Sequence, residues 1–489
     1  MQLTNSPTID DRIATVKRLV IENATITLVE HDVTESVTTP DGHVYANLRP
    51  RTVVKIVMNP AKGSNINVEL CLPDPDKWNG ILVGTGNGGA AGHIGSLGLT
   101  GYAGGGYAVV TTDMGTAPSA ESGIGNREVW KDFGFRATHL MTVAGKQVVR
   151  AFYGKDIAYS YFIGGSTGGQ QALQEAQRYP EDYDGIFANV PAHCRTPLHA
   201  YFLWNYQVLA KCHFTEEQLH GIVVAGNEYM ASREAPAVAG KFVSDPRCTA
   251  KDIDAVIALA LSKDASLTPA HEAALRKLFT GPTQAITGKR IFDGIPIGAS
   301  IEGSNGHLYL FNWVFGRNKQ YTDIDFGKDF DTYTAALGPY LNAENPDLSA
   351  FAKHGGKLIM AAGTADQIVP YQSSIDYYDK VIERCGSVEK AQSFIRFFIV
   401  PGMSHGGGPG INGLPNPFGA LRDWREKGKA PDGLLGNRYV DGKSVLTMPL
   451  VAYPAKAVWD PATATFVRVD SPRGGVERVD ASCLPAAAE

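Results

Sequence analysis

Ser166, Asp366 and His405 occur in that order, and each follows closely on an apolar run that reads as a buried strand. Ser166 lies in Gly164-Gly165-Ser166-Thr167-Gly168, between the apolar residues 159–163 and a helix-like segment, 170–179, that stops at Pro180. A serine on such a strand-to-helix turn is held on strained backbone, and small neighbours let strand and helix approach closely. The start of the helix aims N–H groups at charge that develops beside the serine. A serine hydroxyl is a weak nucleophile until a base takes its proton. Histidine does this near neutral pH, while a carboxylate fixes the imidazole tautomer and stabilises its cation. The chemistry these three residue types perform together is acyl transfer.

Each of the three also has a plainer reading. The five-residue serine pattern recurs by chance, and a glycine-rich connection can carry an incidental serine. Asp366 could be a turn residue, with Asp347 and Asp379 as competitors, and His93, His139 and His193 compete with His405 among twelve histidines. What favours the triad is the conjunction of chain order, strand-end placement and elbow, because loops at the C-terminal ends of parallel strands converge on one edge.

A second glycine-rich stretch, residues 85–92, follows the short buried strand 81–84. It lacks the Lys-Ser/Thr of a phosphate loop and the spacing of a dinucleotide fingerprint. With a serine nucleophile downstream it reads as a source of oxyanion-hole N–H groups. The donors are then Thr167 and either Gly88 or Gly89, each worth about 3 kcal/mol of transition-state stabilisation. His93 lies close to this loop and is a candidate substrate contact. A plain flexible turn is the alternative.

The elements that must position these residues follow from periodicity. Residues 19–35, 51–58 and 65–72 read as antiparallel strands leading in. Buried strands at 81–84, 107–112, 159–163 and 184–192 alternate with helical spacing, as at 133–152, which argues for a mostly parallel α/β sheet. The rhythm breaks after residue 192. Helices are predicted at 197–212, 215–231, 250–262 and 268–279, joined by irregular stretches. Tyr309, Phe311, Trp313, Phe315 and Tyr321 cluster late in this segment. Trp313 and Phe315 are candidates to cover an aromatic acyl group, and Arg317 to bind a carboxylate or phenol; a packed aromatic core is the plainer reading. Sheet-like patterning resumes with a strand at 356–363, a helix at 373–385, a strand at 393–400 and a helix at 418–427. The chain ends in short strands and a disordered tail at 485–489. The expected division is a core formed by 1–192 and 345–489, with residues 193–344 inserted as a lid.

Composition narrows the class. The chain has 489 residues, 44% hydrophobic and 19% charged, with 54 glycines, which is an ordinary globular make-up. Net charge is −5 and no basic run stands out, so nucleic acid is not an expected partner. No apolar run approaches the roughly 20 residues that span a membrane. The polar start, Met1-Gln2-Leu3-Thr4-Asn5-Ser6-Pro7, lacks the form of a signal peptide, so a cytoplasmic protein is expected, or a mature secreted chain. The six cysteines are scattered without a metal-type pair. One or two bridges are allowed, Cys212 with Cys248 being the candidate pair.

Gly-Gly-Ser166-Thr-Gly-Gly-Gln, followed by Glu175-Ala-Gln-Arg-Tyr-Pro-Glu-Asp-Tyr-Asp-Gly185, resembles the tannase and feruloyl esterase family. Matching stretches are Trp78-Asn-Gly80, Asn87-Gly-Gly89, Asp132-Phe-Gly-Phe-Arg136, Leu267-Thr-Pro-Ala270 with Ala274-Leu-Arg-Lys277, Gly281-Pro-Thr283, Pro401-Gly-Met-Ser-His405, and Asp423-Trp424 with Lys427-Gly-Lys-Ala-Pro431. The resemblance covers about residues 50–450. It implies an α/β-hydrolase with a lid that cleaves esters of hydroxylated or methoxylated aromatic acids without a cofactor. Two departures stand out. The family's cysteines before the serine and after the histidine, joined as a disulfide, are here Gly165 and Gly406. The lid's acidic calcium loop corresponds to residues 227–245, which hold Glu228, Glu234 and Asp245 but few hard oxygen ligands, so no calcium site is expected. The expected activity is serine ester hydrolysis of a small aromatic ester. Lactone or carbon–carbon bond hydrolysis on the same triad, and a non-catalytic binding protein, are the alternatives.

Overall fold

The alternating run at 51–58 forms the strand Arg51–Met58, and in the computed structural model it is paired along both edges. The structure describes residues 6–38, 42, 44–232, 248–303, 305–408, 410–460, 462–463 and 465–469. The chain divides into two compact units, residues 1–186 with 349–356, and residues 187–348 with 357–489. The expected tail at 485–489 lies outside the described residues.

In the first unit six strands lie side by side in the order Ala24–Asp32, Arg51–Met58, Ile66–Pro73, Ala108–Thr112, Ile81–Thr85 and Tyr159–Gly165. The first four pair antiparallel, with Val29 opposite Val54 and Leu70 opposite Val110. Ile81–Thr85 then runs parallel to both Ala108–Thr112 and Tyr159–Gly165. The parallel members are nearly continuous apolar runs because both of their faces are covered. One cover is the helix Ala137–Tyr153, which buries Met141, Ala144, Val148 and Phe152 at helical spacing and ends on the left-handed Gly154. The predicted start at 133 is instead a wider π-turn, Asp132–Arg136. It buries Asp132, which accepts from Ser64 Oγ at 2.5 Å and Arg136 Nε at 2.6 Å.

Several helices of this unit escape the sequence pattern, among them Ile9–Lys17, Ser96–Gly104, Arg127–Lys131 and Ser349–Lys353. Ile9–Lys17 is short and set by a Thr8–Asp11 capping box, and only Val16 is buried. Ser96–Gly104 carries three glycines, which mask its helical character. The strand expected across 19–35 is shorter, Ala24–Asp32.

In the second unit the expected helices appear as Arg195–Lys211, Glu216–Ala231, Ala250–Lys263 and Pro269–Thr280. Lys357–Gly363 pairs parallel with Ile395–Val400, and the helices Tyr371–Cys385 and Pro417–Lys427 follow the two strands. Two hairpins, Gly433–Val440 with Lys443–Val451 and Lys456–Asp460 with Thr465–Val469, account for the late short strands.

The proposed Cys212–Cys248 bridge is not formed; both are free thiols, as are Cys71, Cys194 and Cys385. Cys212 terminates the helix Arg195–Lys211, whereas Cys248 directs its sulfur to the Thr249 carbonyl. Cys483 lies outside the described residues. Among the described residues no helix is long and apolar enough to cross a membrane.

Candidate active site

The strand Tyr159–Gly165 delivers the chain to Ser166, whose backbone takes φ 58° and ψ −118°, before the helix Thr167–Arg178 begins. A non-glycine residue in this region costs on the order of 1–3 kcal/mol and persists only where surrounding structure enforces it. The enforcement is close backbone packing. A Cβ on Gly164 would lie 2.2 Å from the Gly168 carbonyl oxygen, and one on Gly86 would lie 2.4 Å from Gly168 Cα. The glycines are therefore contact surfaces between the elbow strand, the elbow helix and the loop at 86–92.

This packing makes a stability prediction. Gly164→Ala is expected to destabilise the protein by about 2–4 kcal/mol, because the added methyl meets main chain that cannot swing aside. Urea denaturation of the variant against the parent measures it. A midpoint unchanged from the parent would refute the close packing.

Hydrogen bonds tie the glycine loop to the elbow. Gly168 N–H donates to the Asn87 carbonyl at 2.7 Å, and Thr167 Oγ1 donates to the Gly89 carbonyl at 2.7 Å. Asn87 N–H donates to Gln171 Oε1 at 2.8 Å, and Asn87 Nδ2 to the Thr112 carbonyl at 2.7 Å. The three oxyanion candidates, Thr167, Gly88 and Gly89, are thus held in one neighbourhood at the start of the elbow helix. Sequence reasoning missed Asn87 and Gln171 as the groups that fix this loop. A polar residue buried on the first turns of a helix is the signal that marks Gln171, but burial is not visible in a single sequence.

Gly88, His93, Tyr102, Ile163, Gly164 and Gly165 line a cleft of about 350 Å³ in the first unit. His93 is exposed at its edge, as expected of a residue near the glycine loop.

In the second unit Asp366 and His405 are partners. His405 Nδ1 lies 2.9 Å from Asp366 Oδ2 and 3.1 Å from Oδ1. Asp366 is fully buried, and its Oδ1 also accepts from the N–H groups of Ile368 at 2.9 Å and Val369 at 2.8 Å. The loops that carry the pair are stitched together. Ala365 N–H donates to the Met403 carbonyl at 3.0 Å, and Gly402 N–H to Thr364 Oγ1 at 2.7 Å. With Nδ1–H donated to the carboxylate, Nε2 is the basic nitrogen of His405.

The competitors have other duties. Asp347 pairs with Arg384 at 2.6 Å, and Asp379 accepts from the Tyr453 hydroxyl at 3.4 Å. His193 is enclosed against the Ser373 carbonyl, and burial pushes its imidazole down to about 4. His139 pairs with Asp182 in the first unit. His307, which the sequence reading passed over, has its basicity lowered by burial first, then by its neighbours Arg195 and His405.

The aromatic cluster is mostly packed against neighbouring side chains of the second unit. Trp313 is buried and meets Tyr309 edge-on at 5.8 Å, while Phe311 stacks on Tyr333 at 4.3 Å. Phe315, half-buried, lies 4.9 Å from the Lys319 ammonium, and Arg317 is exposed. In the stretch compared with a calcium loop, Glu228 is ion-paired with Lys263, and Glu234 and Asp245 lie outside the described residues. No cysteine flanks Ser166 or His405; the flanking residues are Gly165 and Gly406.

A family model described as Tannase and feruloyl esterase matches residues 52–326 and 305–470. An uncharacterized esterase of Xanthomonas campestris is 30% identical, over 89% of this chain and 87% of its own. A probable feruloyl esterase of Arthroderma benhamiae is 32% identical, over 75% of this chain and 74% of its own. The solved structure of feruloyl esterase B from Aspergillus oryzae superposes with a TM-score of 0.78 at 23% identity, covering 94% of this chain and 100% of that one. The likeness gives the fold, that of an α/β-hydrolase.

Proposed function

This chain belongs to the tannase and feruloyl esterase family, and on that premise we propose that Ser166, His405 and Asp366 hydrolyse carboxylic esters of aromatic acids. The protein is a carboxylic ester hydrolase, and the acids proposed are of the hydroxycinnamate, gallate or related benzoate type. The observation that carries the reading is the backbone at Ser166, a serine kept in a costly conformation at the head of a helix.

In the proposed reaction His405 Nε2 takes the Ser166 proton as Oγ attacks the ester carbonyl carbon. The oxyanion accepts hydrogen bonds from Thr167 N–H and from Gly88 or Gly89 N–H. His405 returns the proton to the leaving alcohol as the carbon–oxygen bond breaks, which leaves an acyl-serine. Water, deprotonated by His405, then attacks the acyl carbon, and collapse releases the acid and restores the hydroxyl. Asp366 keeps the imidazole in register and stabilises its cation. None of these steps calls on a cofactor. On the acyl side His93, Phe315 and Arg317 are the proposed contacts, with Trp313 shaping from within the helix that carries Phe315.

The test is a panel of esters: methyl ferulate, methyl gallate, a terephthalate monoester and an aliphatic p-nitrophenyl ester. At least one aromatic ester is expected to turn over at a rate well above the aliphatic one, with acid and alcohol as the only products. An enzyme that labels with a serine-directed phosphonate yet leaves all the aromatic esters intact would refute the substrate class. Ring-opened or carbon–carbon cleaved products would point to the alternative reaction.

A further inference from the structure

The last turn of the elbow helix buries a carboxylate for which the ester chemistry has no use. Glu175 is fully buried, and among the described residues neither of its carboxylate oxygens meets a hydrogen-bond donor group. Asp182 and His139 face it, and one ligand atom from each of the three lies within 4.8 Å of the others. His139 Nδ1 is 2.6 Å from Asp182 Oδ2, and its ring is clamped flat on Tyr179 at 3.8 Å. The nearby ammonium does not answer the charge directly. Lys146 Nζ donates to the main-chain carbonyls of Asp182 at 2.5 Å and Glu181 at 3.4 Å, not to either carboxylate. A buried carboxylate without a donor is costly unless a cation or a proton compensates it.

We propose that His139, Glu175 and Asp182 bind a divalent transition-metal cation of zinc type. The donor set is one imidazole nitrogen and two carboxylate oxygens, the borderline set that such ions prefer. Calcium needs six to eight oxygen ligands, and three groups including an imidazole do not supply them. Metal–ligand bonds of about 2.0–2.2 Å place the ligands of one ion within roughly 4 Å of each other, so small side-chain shifts close the site. A water completes a tetrahedral shell.

The ion would pin three segments: the helix Ala137–Tyr153 through His139, the elbow helix through Glu175, and the turn at Asp182. Glu175 is nine positions beyond Ser166, roughly 13 Å along the helix axis at 1.5 Å per residue. The ion therefore anchors the far end of the elbow helix and does not touch the ester. The competing arrangement is a proton shared between Glu175 and Asp182, since burial, then the charge of Asp182, push the Glu175 carboxyl upward.

The experiment uses the full chain, stripped with chelator and titrated calorimetrically with Zn²⁺. Parent protein is compared with Glu175→Gln, which keeps the volume, and His139→Phe, which keeps the stack on Tyr179. One Zn²⁺ per chain is expected to bind at micromolar Kd or tighter. At a hundredfold excess over Kd the Tm is expected to rise by about 3 °C, and both effects are expected to vanish in both variants. If the parent takes up no Zn²⁺, or the variants bind it as well as the parent, the proposal is wrong. An infrared band of a protonated carboxyl, lost in Glu175→Gln, would then identify the shared proton. Should either variant fail to fold, the parent titration with the remaining variant decides.

Discussion

Ser166→Ala is expected to lower kcat on any ester the protein turns over by about 10⁶-fold, with KM little changed. The size follows from what is removed. Without the hydroxyl there is no acyl-enzyme, and His405 has no proton to take from a nucleophile. The oxyanion donors and the acyl pocket remain, so residual catalysis over water of about 10³–10⁴-fold is expected to survive. Stability should hardly move, because alanine keeps the Cβ that already sits at φ 58° and adds no atom near Gly164 or Gly168. Steady-state kinetics of purified variant and parent, with thermal melts alongside, give both numbers. Loss of phosphonate labelling in the variant ties the effect to the serine. A variant that keeps more than about a tenth of the parental kcat would remove Ser166 from the mechanism, since a nucleophilic hydroxyl is worth far more than that to a serine esterase.

How much of this was legible in the sequence depends on which force sets each feature. The elbow was readable because its requirement is local: a strained serine between residues that must lack side chains leaves glycines at fixed offsets, Gly164 and Gly168. The buried strands Ile81–Thr85 and Lys357–Gly363 were readable because continuous apolar runs need cover on both faces. Asp366 and His405 were singled out by their places after strands, and they lie within hydrogen-bond distance of each other at 2.9 Å. What was not legible arises from contacts between residues far apart in the chain. Gln171 looks like any helical glutamine until Asn87 and Thr138 are seen at its two ends. Glu175, His139 and Asp182 have no motif spacing, and only the packing of two helices and a turn brings them together. The helix Ser96–Gly104 was hidden by its own glycines, and Trp313 could not be sorted between core and pocket by residue type alone.

Asp366→Asn is expected to reduce kcat by about 10⁴-fold near neutral pH while the fold stays intact. The geometry says why an amide fails where a carboxylate serves. Asp366 Oδ1 accepts from the N–H groups of Ile368 and Val369, and Oδ2 faces His405 Nδ1. An asparagine satisfies the two backbone donors with its carbonyl oxygen and must then turn its NH₂ toward the imidazole. That NH₂ can only donate, so it selects the tautomer with the proton on Nε2, which cannot accept a proton from Ser166. The cation formed during the reaction also loses its counter-charge. Because both backbone N–H groups stay paired, the loss of stability is limited to a charge-assisted hydrogen bond, about 1–3 kcal/mol. The split between a large fall in kcat and a small change in KM and Tm is the signature of an orienting carboxylate. Asp347→Asn and Asp379→Asn are the controls, and both are expected to retain parental kcat, since Asp347 serves Arg384 at the surface and Asp379 serves Tyr453. If either control collapses activity while Asp366→Asn keeps it within about tenfold, the carboxylate of the triad lies elsewhere.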